Sequence, residues 1–221
     1  MASKYLKRIT TNKRVIQFLK SADQYLEKLG YTEHGVRHAS IVSRSASDIL
    51  KKLGFPEREC ELAAVAGYIH DIGNLAGRKY HGIAASMISE RVLEEEGFPL
   101  DEIARCMCAV GNHEDEDGHV TDSITAALII ADKADVHRSR VRNTDFISFD
   151  IHDRVNYAAT DSAIGIDKVK REITLSLSID TNISQVMEYF EIFLDRMILC
   201  RRAANFFGCS FSLVINEVKL L

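Results

Sequence analysis

What most constrains this chain is a pattern repeated between residues 34 and 135. Stretch after stretch carries apolar residues at three- and four-residue spacing, and each stripe runs into a histidine or an aspartate. Such spacing marks amphipathic helices packed around a shared core. Over about 34 to 53, Ile41, Val42, Ala46, Ile49, Leu50 and Leu53 form one face, closed by Gly54 and Pro56. One turn back from that face is His38, whereas His34 falls nearer the exposed start. Over 57 to 70, Leu62, Ala63, Ala66 and Ile69 lead to His70, the first member of Tyr68-Ile69-His70-Asp71-Ile72-Gly73-Asn74. Adjacent side chains leave a helix about 100° apart, so His70 and Asp71 act together only where the helix ends, and Gly73 is expected to supply the bend. His81 shares the face of Ala84, Ala85, Ile88 and Val92 at the start of a further helix. Another, over about 99 to 112, carries Ile103, Cys106, Met107 and Val110 toward His113. Most of the acidic loop after it, Glu114 to His119, reads as a solvated turn.

The next helix, Ser123 to about Val141, is apolar from Ile124 to Ala131 and then gives Asp132-Lys133-Ala134-Asp135. Asp132 lies on the buried stripe, four residues past Leu128 and four before Val136. An isolated carboxylate there costs several kcal/mol in desolvation, so it needs a cation. Asp135 fits a second ligand, an acceptor for a histidine, or a partner for the nearby arginines. Singly, each position reads as a satisfied core histidine or a surface acid. Together, four histidines and two aspartates converging on one core would leave polar groups unpaired unless metal ions collect them.

Composition narrows the class. With 221 residues and 46% hydrophobic content, the chain is long enough for a sizeable core. A net charge of −4 argues against a nucleic-acid polymer or an anionic membrane as partner. No run of eighteen apolar residues occurs, and Met1 to Lys7 lacks the apolar core of a secretion signal, so a cytoplasmic protein is expected. Cys60, Cys106, Cys108, Cys200 and Cys209 show no C-x-x-C spacing and fit reduced thiols.

The expected fold is mostly α, a helical bundle with a small C-terminal α+β appendage. Residues 1–142 form the helical metal-binding domain, with a helix over 12–29 packed on it, and 143–221 form a strand-helix-strand subdomain. Asp145 through Asp167 reads as an irregular segment with room for a short helix. Glu172 to Asp180 alternates strictly, with Ile173, Leu175, Leu177 and Ile179 on one face. A helix over 184–207 turns Met187, Phe190, Phe193, Leu194, Met197 and Ile198 inward, and Phe211 to Asn216 makes a closing strand. Two strands alone are marginal unless the helix covers them or they pair across subunits, and the second case would give a homodimer through the C-terminal strands.

The order His38, His70-Asp71, His81, His113, Asp132 resembles the HD-domain superfamily of metal-dependent phosphohydrolases, whose pattern is H...HD...D on a helical scaffold. The likeness covers roughly residues 30 to 142, and its two intervening histidines are similar to those of the binuclear HD-GYP branch. It implies that His38, His70, Asp71 and Asp132 hold one metal, that His81 and His113 serve a second, and that Asp71 bridges, with His70 and Asp71 as the catalytic pair. The HD-GYP run usually reads HDIGK, but here Asn74 takes the last place. The branch's paired histidines appear as Asn112-His113, and no GYP triplet occurs.

The resemblance implies cleavage of a phosphoester of a small metabolite, such as a nucleotide, by water activated at one or two divalent ions of Fe, Mn, Co or Ni. The alternatives are a di-iron oxygenase on the same scaffold and a non-catalytic metal- or ligand-binding regulator. Lys133, Arg138, Arg140 and Arg142 form a basic cluster after the last ligand, balanced between phosphate binding and a favourable helix C-terminal charge. Arg37 is a weaker candidate.

Overall fold

The computed structural model describes residues 4–114, 118–142 and 150–220. It is mostly helical, with a small C-terminal sheet, and no helix among these residues is long and apolar enough to cross a membrane. Helix α1 (Lys4–Thr11), too short to show a period in sequence, precedes α2 (Lys13–Lys28). The Asn12 carboxamide caps α2 by accepting from the Arg14 and Val15 amides at 2.8 and 3.2 Å. α3 (Val36–Leu53) stops at Gly54, whose φ of 91° is left-handed.

α4 (Glu57–Ile69) and α7 (Ser123–Lys133) are the central helices. Leu62 through Ile69 of α4 and Ser123 through Ala131 of α7 are buried all the way round, so neither shows a polar face. α3 crosses α4 at Gly67, where a side-chain carbon would lie 2.9 Å from the Ser43 backbone. α5 (His81–Glu95) and α6 (Leu100–Gly111) complete this layer. The expected helix boundaries thus hold, except that α7 ends at Lys133 rather than near Val141. No glycine or proline marks that stop. Instead the Arg140 guanidinium donates to the Asp135 carbonyl at 2.7 Å, and the Asp135 carboxylate accepts from His38 at 2.7 Å, so tertiary bonds replace the helical ladder. A 3-10 turn over Arg138–Arg140 follows.

In the C-terminal part, α8 (Ile151–Ala158) is capped by the Asp150 carboxylate accepting from the Asp153 amide at 2.8 Å. It runs directly into strand β1 (Ala159–Asp167), where the sequence leads one to expect an irregular segment. The beginning of that segment falls within 143–149, which lies outside the described residues. β1 pairs antiparallel with β2 (Glu172–Ile179), setting Ile164 opposite Leu175 and Ile166 opposite Ile173. α9 (Val186–Phe206) then crosses back so that β3 (Ser210–Ile215) lies parallel to β2, and β4 (Val218–Lys219) closes an antiparallel turn through Asn216 and Glu217 at φ 49° and 68°. The buried face of α9 is Tyr189, Phe193, Met197, Cys200 and Ala204. Met187 and Leu194, expected inside, are 65% and 51% exposed.

α9 packs on α7, and one continuous apolar core runs from Ile9 through the helices to Ile215 in the sheet. The sheet has four strands with α9 packed on β3 and β2, the first of the two expected ways of covering it.

Candidate metal centre

Three helix C-termini and two N-terminal turns meet at one point. α4 delivers His70 and Asp71 just past its last residue, α6 delivers His113, and α7 delivers Asp132 in its last turn. α3 contributes His38 from its third position and α5 contributes His81 from its first. Helix C-termini carry partial negative charge, which favours a cation at the junction.

All six predicted ligands come together. His38 Nε2 lies 3.2 Å from His70 Nε2, 3.1 Å from Asp132 Oδ1 and 3.5 Å from Asp71 Oδ2. His70 Nε2 lies 3.4 Å from Asp71 Oδ2 and 3.5 Å from Asp132 Oδ1. The other Asp71 oxygen, Oδ1, is 3.1 Å from His81 Nε2. The donors of Asp71, His81 and His113 lie within 4.8 Å of one another, as do those of His70, His113 and Asp132. Glu114, read from sequence as part of a solvated turn, adds Oε1 at 2.7 Å from His81 Nε2 and 3.3 Å from His113 Nε2. The rest of that acidic run, Asp115 to Asp117, lies outside the described residues.

The imidazoles are oriented from behind. His38 Nδ1 meets Asp135 Oδ2 at 2.7 Å. His70, His81 and His113 place Nδ1 on the carbonyls of Gly67, Arg78 and Val110 at 2.9, 3.0 and 2.6 Å. These oxygens only accept, so every Nδ1 carries the proton and every neutral ring turns an Nε2 lone pair inward. Lone pairs of His38 and His70 then face each other at hydrogen-bond distance, and the buried Asp71 Oδ2 has no hydrogen-bond partner among the described residues.

Donors about 2.1 Å from a common ion at tetrahedral or octahedral angles sit roughly 3.0 to 3.4 Å apart, close to the spacing found here. The residues present fit a divalent ion in each of two donor sets: His38, His70, Asp71 Oδ2 and Asp132, and Asp71 Oδ1, His81, His113 and Glu114.

Electrostatics point the same way. Burial alone would raise all four carboxyls, but neighbouring donors outweigh it. Asp71, beside His70 and His81, and Asp132, beside Lys133, His38 and His70, lie well below the usual carboxylate range. Glu114, bonded to His81, and Asp135, bonded to His38, are drawn down to about 2. Burial pulls His113 down to about 3, helped by His70. It also opposes charge on His81, yet Asp71 and Glu114 raise that ring to about 9. His38 is raised by Asp132 and Asp135 against burial and Arg140.

The local chain explains the convergence. The turn after Asp71, a 3-10 turn over Ile72–Ala76, does not use glycine for a left-handed bend as expected. Gly73 is needed because a side-chain carbon there would lie 1.9 Å from the His81 carbonyl oxygen and 2.3 Å from the Ala85 amide. Asn74, where the resembled run has lysine, is fully buried and donates Nδ2 to Asp71 Oδ1 at 2.8 Å.

The basic cluster separates. Lys133 is buried, with Nζ 2.8 Å from Asp132 Oδ2. Arg140 is buried against the Glu33 and Asp135 carbonyls, and Arg142 is engaged by Asp23 and the Tyr31 carbonyl. Nε and Nη1 of Arg140 and Nε and Nη2 of Arg142 are thus engaged by the protein. Arg138 lies over the Tyr157 ring at 5.4 Å, and Arg37 pairs with Asp135 at 3.0 Å. None of the cysteines is disulfide-bonded; burial holds the Cys106 thiol up at about 12, and Cys108 contacts Thr121.

Beside the centre opens a cavity of about 370 Å³ whose charged lining is Arg78, Arg140 and Arg196 with Asp150 and Asp153, next to His34. A larger crevice of about 450 Å³ between α3 and β1 reaches Asp135; neither space is lined by a donor, and the smaller one adjoins them through Arg78, beside His81, and His34, beside His38.

No family model matches this chain. It is similar to an uncharacterized protein of Methanocaldococcus jannaschii, with 28% identity over 156 residues, covering 59% of this chain and 59% of the relative's length.

Proposed function

We propose that this chain is a metal-dependent phosphohydrolase of the HD-domain type, cleaving a phosphoester of a small metabolite such as a nucleotide. The observation that carries the reading is the closed set of inward donors, with four Nε2 atoms fixed by their Nδ1 bonds and one aspartate reaching both donor sets through its two oxygens. His38, His70, Asp71 and Asp132 would hold one ion; His81, His113, Glu114 and Asp71 would hold the other. Mixed imidazole and carboxylate donors suit iron, manganese, cobalt or nickel. When bound, a pair of divalent ions supplies acid strength to water and neutralises phosphoryl oxygens.

The protein does the rest. Asn74 holds the Asp71 carboxylate in the orientation that serves both donor sets. Asp135 and the three carbonyls fix the ring tautomers. Lys133 offsets the charge of Asp132, and the buried walls exclude bulk water. The 370 Å³ cavity has room for a small phosphorylated molecule.

Purified protein loaded with manganese under anaerobic conditions should hydrolyse at least one member of a phosphatase, nucleotidase and phosphodiesterase panel, read as phosphate from a monoester or as monoester from a diester, and Asp71→Asn should abolish both the hydrolysis and the metal. Turnover that requires O₂ would instead favour the oxygenase. Stoichiometric metal with no turnover on the whole panel would favour a binding module.

A further inference from the structure

Arg78 pairs with no acid among the described residues; the same holds for Arg138, over the Tyr157 ring, but Arg138 lines neither the cavity nor the donor sets. Arg78 lies in the loop between the 3-10 turn and α5, half-buried, on the wall of the 370 Å³ cavity. Its side-chain hydrogen bonds all run through one nitrogen, Nη1, and all are long: 3.3 Å to Asn74 Oδ1, and 3.3 and 3.5 Å to the two ring nitrogens of His81. A donor cannot bond well to both nitrogens of one ring, since their lone pairs diverge, and His81 Nδ1 already donates to the Arg78 carbonyl at 3.0 Å. Nε and Nη2 have no hydrogen-bond partner among the described residues, and behind the guanidinium is the Tyr31 ring at 5.9 Å. By contrast, Arg37 and Arg142 are each engaged by a carboxylate.

Resting on the reading above, we infer that Arg78 holds the oxyanion of the substrate, its Nε and Nη2 edge presenting two parallel donors to phosphoryl oxygens at the wall between cavity and donor sets. A planar fork matches two oxygens of a phosphate, and a guanidinium keeps its charge at every physiological pH. The alternative role, a cation that only balances Asp71 and Glu114, predicts a different response to mutation. Removing a balancing charge would tighten metal binding, and a lysine, which restores the charge, would restore anion affinity in full.

The test uses the full chain loaded with manganese and inorganic phosphate as probe, followed by calorimetry, with metal content and thermal melting measured on the same samples. Arg78→Gln should weaken phosphate binding about 10- to 100-fold, the loss of one charge-assisted bidentate contact, with manganese content and melting unchanged. Arg78→Lys should recover part of the affinity. Unaltered phosphate affinity in Arg78→Gln, tighter manganese binding as its sole effect, or full recovery of affinity in Arg78→Lys overturns the assignment of Arg78 and leaves the phosphohydrolase reading intact. No phosphate binding by the manganese-loaded wild-type chain overturns both.

Discussion

Gly73→Ala tests how the fold builds the centre. Side-chain carbons do not approach backbone atoms closer than 3.0 Å, so the new carbon, built 1.9 Å from the His81 carbonyl oxygen, forces the turn and α5 apart by about 1.1 Å. The obstacle is backbone of α5, which a rotamer change cannot relieve. Two terms oppose each other. The residue has no left-handed φ, so alanine gains roughly 0.4–1 kcal/mol by restricting the unfolded chain. Overpacking of a rigid site costs typically 1–3 kcal/mol, and a backbone clash belongs at the upper end, so overpacking wins by about 2 kcal/mol. For a chain of this length that is a fall in melting temperature of roughly 4–8 °C. The same displacement opens the 3.1 Å gap between His81 Nε2 and Asp71 Oδ1, so one donor set should lose its ion while the other keeps it. Thermal melting of the chelator-treated protein and elemental analysis of the loaded protein read the two effects separately. A Gly73→Ala protein that melts at or above wild type and binds two ions per chain would refute the close-approach account.

Removing the bridge and removing an edge should differ: Asp71→Asn should abolish metal at both donor sets, and Glu114→Gln or His113→Ala should cost at most one ion per chain, read by elemental analysis. In the metal-free protein His81 is raised from an ordinary 6.5 to about 9, so its contribution to stability is complete below about pH 6.5 and is lost as pH rises through 9. Metal uptake near pH 7 must displace that proton; calorimetry in buffers of different ionisation enthalpy should show proton release, and the metal-induced rise in melting temperature should be larger at pH 8 than at pH 6.5. Arg140→Ala leaves the Glu33 and Asp135 carbonyls without their buried donor, so it should cost about 2–4 kcal/mol in urea unfolding.

The helical body was legible because its stripes obey one rule over a hundred residues, and Asp132 was legible because a charge in such a stripe demands an explanation. Other residues gave no such signal. Glu114 stands among four consecutive acids, and nothing local separates the one that faces His81 from its neighbours. Arg78 lies in a loop with no periodicity, and its importance comes from where the turn before it folds. The end of α7 carries no stop residue, because the stop is made by Arg140 and His38 from outside the helix. β1 was missed because an edge strand keeps polar residues such as Thr160 and Asp161 exposed and includes Gly165, which blurs alternation, whereas β2, central in the sheet, alternates cleanly. Asn74 looked like the loss of a lysine; in the fold it is the donor that orients Asp71.

The centre also bears on how the chain holds together without metal. Asp71, Asp132, Asp135 and Glu114 are all kept ionised, and three of them are nearly closed off from water. Lys133, Arg37 and Arg140 offset part of that charge from the Asp132 and Asp135 side. Among the described residues, nothing comparable serves Asp71 Oδ2, which lacks a hydrogen bond, or the facing lone pairs of His38 and His70. Protons on His38 and His81 can fill the gap, but a proton relieves one pair of donors, whereas a divalent ion relieves four at once. On the proposed reading the metal-free site is a local weak point inside an otherwise close-packed core, and binding energy is returned as folding energy. Since α4 and α7 pack on each other and on α3 and α6, and α7 also on α9, chelation should be felt beyond the site. Amide exchange should quicken at the C-terminal turns of α4 and α7 and at the start of α5, and β1 to β4 should keep their protection. Exchange that quickens uniformly, or in the sheet first, would mean that the donors are not the element metal holds together.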